Sequence, residues 1–178
     1  MDKEFNALFA ETLGYEGGID QTMDGVVSNF GLTQTAYDAY NSKNNLPPKD
    51  VKEANWKEGR QIGYDEYYIA PKLDKVEDPN LRGAMFDFEY NSGGRRSVKA
   101  LQGILGTKTD GIIGKKTLKA LKKYTDENGS GAMVEALINE REKYLTNLTI
   151  SNPQKYGKYL KGWANRIQKQ RTKYLQLP

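Results

Sequence analysis

The stretch "YEGGIDQTMDGVVSNFGLTQ", residues 15–34, gathers the groups best able to do acid–base chemistry: Glu16, Asp20 and Asp24, with the hydroxyls of Ser28 and Thr33. Glu16 closes an apolar helical run and is followed at once by Gly17 and Gly18. A carboxylate in the last turn of a helix faces the negative end of the macrodipole, which disfavours its charge, and Tyr15 and Ile19 beside it would exclude water to the same effect. A carboxyl group kept protonated near neutral pH can donate a proton to a leaving oxygen. The polar stretch that follows supplies a second carboxylate, and two carboxyls with opposite roles need one apolar and one wet environment. Such a pair suffices for glycoside hydrolysis, where a separation of roughly 5 Å goes with retention and roughly 6.5 to 9.5 Å with inversion. Asp24 is assigned the second catalytic role and Asp20 a substrate contact, although spacing alone leaves the two interchangeable. Gly17 and Gly18 would let a polymer approach the backbone closely. On spacing alone, the same residues also suit an ordinary helix terminus.

Composition narrows the chemistry by what is missing. The 178 residues include no Cys and no His, which excludes a thiol nucleophile, a disulfide framework, a Ser-His-Asp triad and a His- or Cys-ligated zinc site. Neither a cofactor nor a metal is expected. Carboxylates, Lys and Tyr remain as acid–base groups, and carboxylates are enough for cutting a glycosidic bond. The net charge of +4 comes from "GKKTLKALKK" and the tail "KYGKYLKGWANRIQKQRTK", a balance that favours polyanions such as nucleic acid, anionic lipid or anionic cell wall. Lysine-rich helix faces are equally at home as plain solvated surface. No apolar run approaches the ~20 residues of a membrane span, so no stable membrane insertion is expected. The N-terminus "MDKEFNALFAETLG" lacks the pattern of a signal peptide.

The elements that must position these groups are mostly helical. Phe5, Leu8, Phe9 and Leu13 follow the i, i+3, i+4 rhythm after a potential Asp2 cap, and Gly14, Gly17 and Gly18 close the helix. Asp24-Gly25 is a dipeptide favoured in two-residue hairpin turns, which predicts one short β-hairpin after the first helix. Helical signals resume at "TQTAYDAYNSK", capped by Thr33 or Thr35, and Asp50 with Glu53 resembles a capping box for the segment after "NNLPP". "FDFEYNSGG" and four later segments carry helical periods, giving six to eight helices. In "FDFEYNSGG" Asp87 and Asn91 share one helix face, where they face substrate or bridge neighbouring helices, while Glu89 points elsewhere. "TDGIIGKKT" reads as a structural turn, and Trp163 as a core anchor before a sugar platform.

"YEGGIDQTMDGVVSNFGLTQ" resembles the signature of the glycoside hydrolase family 108 lysozymes. The resemblance continues in "FDFEYNSGGRRSVKALQGILGTKTDGIIGKKTLKAL", similar to that family's predicted peptidoglycan-binding segment, and closes in "YGKYLKGWANRI", which resembles its Gly-Trp-x-x-Arg ending. The order of these pieces covers nearly the whole chain. The resemblance implies a mainly α, lysozyme-like helical fold and an N-acetylmuramidase activity with Glu16 as the general acid. It is compatible with Asp24, Ser28 and Thr33 lining the opposite wall of the cleft, and it places Asn91 against substrate. The chain departs from the pattern at Ile19, where Tyr is usual, at "GVVS" with Val26 for a second Gly, and at Ile69, where Trp is common.

The resulting expectation is a lysozyme-like catalytic segment over residues 1–90 and a helical wall-binding segment over residues 91–178, packed as one globular unit. The partner is the peptidoglycan glycan strand, with no nucleic acid, and the protein is expected to act as a monomer. It would be made in the cytoplasm and reach the wall after holin-type release. A lytic transglycosylase using the same acid and a non-catalytic wall-binding protein are the alternatives.

Overall fold

The computed structural model describes residues 3–14, 19–21 and 26–175. These divide into two compact units, residues 1–70 and residues 71–178. Among the described residues the chain is mainly α, with nine α-helices and one small antiparallel sheet, the class expected from the sequence.

In the first unit, α1 spans Lys3–Leu13 and buries Phe5, Leu8, Phe9 and Thr12 on one stripe, as its 3.6-residue apolar period requires. The helix stops at Gly14, whose φ of 74° lies in the left-handed region and whose N–H donates to the Glu11 carbonyl at 3.1 Å. The expected pair of antiparallel strands after α1 is found, β1 Ile19–Gln21 and β2 Val27–Asn29, and a third short strand, β3 Leu32–Thr33, extends it to a three-stranded sheet in chain order. The extra strand arises because Phe30 and Gly31 both take positive φ, 50° and 76°, the geometry of a two-residue turn whose twist matches its strands. A lone Gly after an aromatic residue is a weaker signal than Asp-Gly, which is why the sequence pattern does not announce this turn.

Helix α2, Gln34–Lys43, starts directly from β3, with Thr33 as its cap. The capping box expected at Asp50 and Glu53 falls one turn later. Asp50 accepts from Lys52 N–H and opens only a short 3₁₀ turn, Val51–Glu53, whereas Asn55 and Glu58 exchange both reciprocal bonds at the start of α3, Trp56–Tyr64. A π-helical turn, Asp65–Ile69, extends α3.

The second unit is built around α4, Pro79–Ser92, in which every residue from Gly83 to Tyr90 is buried. A helix apolar around most of its circumference must be enclosed on all sides. Helices α5 (Arg96–Ile104), α6 (Lys115–Asn128), α7 (Ser130–Ser151), α8 (Pro153–Tyr156) and α9 (Leu160–Tyr174) follow, and α5, α7 and α9 all pack on α4. The long C-terminal helical pattern is interrupted by a 3₁₀ turn at Gly157–Tyr159, so it forms two helices rather than one. At Gly83 a Cβ would lie 2.7 Å from the Tyr174 ring, so the α4–α9 approach depends on a residue without a side chain.

Candidate active site

The sheet of the first unit brings three of the candidate residues into one row. In the strand register Asp20 stands opposite Ser28, and Ser28 stands opposite Thr33. Residues directly opposite in antiparallel strands share a face of the sheet. The neighbouring row is Ile19, Asn29 and Leu32, of which Asn29 and Leu32 are buried. Alternation therefore puts Ser28, half-buried, and Thr33, exposed, on the outward face. Thr33 also has a local task, since its Oγ1 accepts the Ala36 N–H at 3.3 Å to cap α2. Glu16, Gly17, Gly18 and Asp24 lie outside the described residues, as does the side chain of Asp20. The described part of α1 ends three residues before Glu16.

The sheet is held from its inner face by a residue the sequence pattern did not single out. Asn29 Nδ2 donates to the carbonyls of Val51 and Ala54 at 3.0 and 2.9 Å, and more distantly to that of Lys52. Three carbonyls converging on one amide fix its orientation, because only the NH₂ end can meet them. The cost is that Asn29 Oδ1 is buried without a partner. Beside it, Gly59 packs so closely under Phe30 that a Cβ would meet the Phe30 Cβ at 2.9 Å. Phe30 in turn meets Trp56 edge-on, and Trp56 meets Phe9, which ties the β2–β3 turn to α1 and α3.

In the same unit, Tyr40 donates to Asp65 Oδ2 at 2.7 Å, and burial followed by this bond to a carboxylate pushes the Tyr40 phenol well above its ordinary range. Lys49 pairs with Glu58 at 3.0 Å. Burial works to raise the Glu58 pKa and is outweighed by the Asn55 backbone and Lys49, so Glu58 stays ionised. These groups cap and brace helices. Among the described residues no cluster of His, Cys, Asp or Glu side chains suits a metal ion.

The second unit separates Asp87 from Asn91. Asp87 is buried and bridges to two other helices: Arg141 of α7 and Arg166 of α9, the latter bidentate at 2.9 and 2.7 Å. Burial alone would raise the Asp87 pKa, but the Arg166 bond and the Arg141 charge hold it below the ordinary carboxylate value. Of the two roles open to this pair, Asp87 therefore takes the bridging one. Asn91 is exposed, and its Nδ2 donates back to the Asp87 carbonyl at 2.8 Å. Glu89, two residues from Asp87, accepts from Ser97 Oγ at 2.7 Å and Ser97 N–H at 3.1 Å. It thereby satisfies the start of α5, whose N-cap residue Arg95 offers no side-chain bond. Burial pushes the Glu89 carboxyl up.

"TDGIIGKKT" is a structural turn, as its residue types indicated. Asp110 Oδ1 accepts from Ile112 N–H and from Gln102 Nε2, and Gln102 Oε1 accepts from Gly111 N–H, so one buried glutamine spans the turn. Trp163 is not the core anchor it was expected to be. It is half-buried and lies against Tyr159, ring centroids 5.6 Å apart, and Tyr156, 6.1 Å apart. Trp163 lies one turn before Ile167, the first buried residue of α9, so it sits at the end of that helix's buried stripe rather than within it. The buried contacts of α9 come from Ile167, Gln170 and Tyr174.

Residues 9–93 match the family described as Glycosyl hydrolase 108, and residues 96–168 match the family described as Predicted Peptidoglycan domain. The first matched segment runs through α4 and so extends into the second compact unit. No curated protein matches the chain significantly. Among solved structures, the chain is similar to SagA of Brucella abortus, with a TM-score of 0.74 and 25% sequence identity over 97% of this chain and 94% of that one.

Proposed function

We propose, from the premise that the chain belongs to the glycosyl hydrolase 108 family and carries the predicted peptidoglycan domain, that it cleaves the β-1,4 bond between N-acetylmuramic acid and N-acetylglucosamine with Glu16 as general acid. A lysozyme-like glycoside hydrolase acting on peptidoglycan is the coarser statement that the family matches carry. Glu16 would protonate the leaving oxygen as the oxocarbenium-like transition state develops, and a carboxylate across the cleft would activate water or stabilise the cation. Asp24 keeps that second role in our reading, with Asp20, Ser28 and Thr33 as substrate contacts beside it and Gly17 and Gly18 admitting the strand. Asn91 is the remaining substrate contact in our reading. The observation that carries the reading is the polar register row Asp20–Ser28–Thr33, which follows Glu16 in sequence and whose Ser28 and Thr33 lie on the outward face of the sheet.

No helix among the described residues is long and apolar enough to cross a membrane. We place the action of the protein at the cell wall, as a monomer, after holin-type release in the manner of a phage endolysin. The test is the release of reducing ends from purified peptidoglycan by wild type and Glu16→Gln, with mass analysis of the products. Loss of general acid catalysis lowers the rate by about 10² to 10⁴-fold. Equal rates would remove Glu16 from the role, and a 1,6-anhydro product would reassign the enzyme to the lytic transglycosylases. Asp20→Asn beside Asp24→Asn then decides which carboxylate is the second catalytic group, by which of the two loses the greater share of kcat.

A further inference from the structure

The α8–α9 corner of the second unit carries three half-buried rings that lie against one another. Tyr159 and Trp163 lie one helical turn apart and stack with an interplanar angle of 24°, while Tyr156 joins them at 35° to Trp163. Lysines alternate with the rings along the chain: the Lys155 ammonium sits 5.2 Å from the Tyr156 ring centre and Lys158 5.2 Å from that of Tyr159. Lys161 is exposed on the next position but one, and Leu160 between them leaves 47% of its surface in water. From Lys143 to Pro178 the sequence contains no Asp or Glu. Large half-exposed rings in a continuous patch, rather than scattered singly, are the pattern of a recognition surface.

We infer that Tyr156, Tyr159 and Trp163, with Lys155, Lys158 and Lys161, form the surface by which residues 96–168 hold the peptidoglycan glycan strand. The inference rests on peptidoglycan being the substrate, and it assigns to that domain match a particular surface. A pyranose ring offers one face of C–H bonds that packs on an aromatic ring while its hydroxyls stay in water, a division that rings with apolar bodies and wet edges accommodate. The lactyl-linked peptides of the strand carry carboxylates, which complement the exposed ammonium groups of Lys155 and Lys161. A lipid surface would call for a broader aliphatic stripe than Leu160 provides here. The surface holds the wall and performs no chemistry, so its effect falls on residence at an insoluble substrate.

The experiment is co-sedimentation with purified sacculi on ice, in the Glu16→Gln background so that the wall is not consumed, comparing Trp163→Ala, Trp163→Phe and the triple change of Lys155, Lys158 and Lys161 to Gln. Trp163→Ala should weaken binding by about tenfold, as truncating a central aromatic anchor does. Trp163→Phe, which keeps a ring against Tyr159, should recover most of that loss. The triple Lys variant should bind more weakly and lose the salt dependence seen in its parent. Unchanged binding in both Trp163→Ala and the triple variant overturns the assignment. If Trp163→Ala lowers the thermal midpoint, the triple variant, altered only at exposed side chains, decides alone. Sacculi binding that stays constant while binding to single-stranded DNA or to anionic phosphatidylglycerol vesicles falls would also overturn it, in favour of that other partner. Failure of the parent reading looks different: wild type then neither sediments with sacculi nor releases reducing ends.

Discussion

In the first unit Asn29 sits beneath a short sheet and donates to carbonyls of the adjoining turn, while in the second Asp87 sits inside an enclosed helix and receives two arginines. Both residues are buried polar side chains joining elements distant in sequence, yet they are satisfied unequally. Asp87 has strong charge-assisted partners for both oxygens, whereas Asn29 leaves Oδ1 without one. The second unit joins three helices through that one carboxylate. The first unit joins thin elements through backbone acceptors, and on its outward sheet row Thr33 makes one local cap. A protein that must open a groove to a polymer benefits from this division, since polar groups already committed to packing are poor at meeting a ligand.

The comparison is tested first where the effect is largest. Asp87→Asn leaves Arg141 buried and half-paired and removes the charge that Arg166 grips, so the second unit should lose ~3 to 5 kcal/mol. Denaturant unfolding followed by circular dichroism measures it, and a loss below 1 kcal/mol would mean that the arginines find water instead. Acid should act in the same direction. The Asp87 pKa is lowered on folding, so its contribution is present above the ordinary value of 3.8 and fades as pH falls through the folded value.

Next in size is Asn29→Ala, which strips donors from three carbonyls at once. With water able to reach part of the exposed turn, the expected loss is about 2 kcal/mol. The informative detail is where the loss is felt. If the sheet positions the cleft, kcat/KM on peptidoglycan should fall by more than the unfolded fraction explains, whereas Asp87→Asn should lower activity only as far as it unfolds the protein.

Glu89 gives a smaller effect of opposite sign in pH. Its pKa is raised on folding, so its contribution is full below the ordinary value of 4.5 and is lost as pH rises through the folded value. Glu89→Gln keeps an acceptor for Ser97 and removes the titration, so its stability should decline less than that of wild type between mildly acidic and neutral pH. Parallel curves for the two proteins would show that Glu89 ionises as freely folded as unfolded.

Which of these features the sequence announced depends on how local their causes are. The apolar period of α1, the start of α2 at Thr33 and the Asp110-Gly111 turn rest on residues within a few positions, and all three are found where the pattern puts them. The third strand depended on a Phe-Gly turn, and the capping box formed at Asn55 and Glu58 rather than at Asp50 and Glu53, two places where a second local signal competed with the stronger-looking one. Asn29 could not be read from spacing, and for Asp87 spacing offered a bridging role without naming its arginines, because the partners of both lie 22 or more residues away. Trp163 reads as a core anchor because burial of a tryptophan is the common outcome, whereas it lies half-buried beside Tyr159 and Tyr156. In the site itself, the row Asp20–Ser28–Thr33 needed the register, which depends on the turns.

The smallest effect tests whether Thr33 has a task beyond its cap. Its hydroxyl caps α2 through a bond of 3.3 Å, near the long end of the range, so Thr33→Ala should cost only about 0.5 to 1 kcal/mol. Thr33→Ser keeps the hydroxyl and should restore that stability. If Thr33 also meets the glycan, Thr33→Ala should raise KM beyond anything the stability loss predicts, and Thr33→Ser should restore KM as well. If its only work is the cap, KM stays at the wild-type value in both variants while the thermal midpoint moves in one. That second result would leave Ser28 as the remaining hydroxyl of the outward row, and the contrast between a lightly committed sheet and a fully committed helix would then rest on that single side chain.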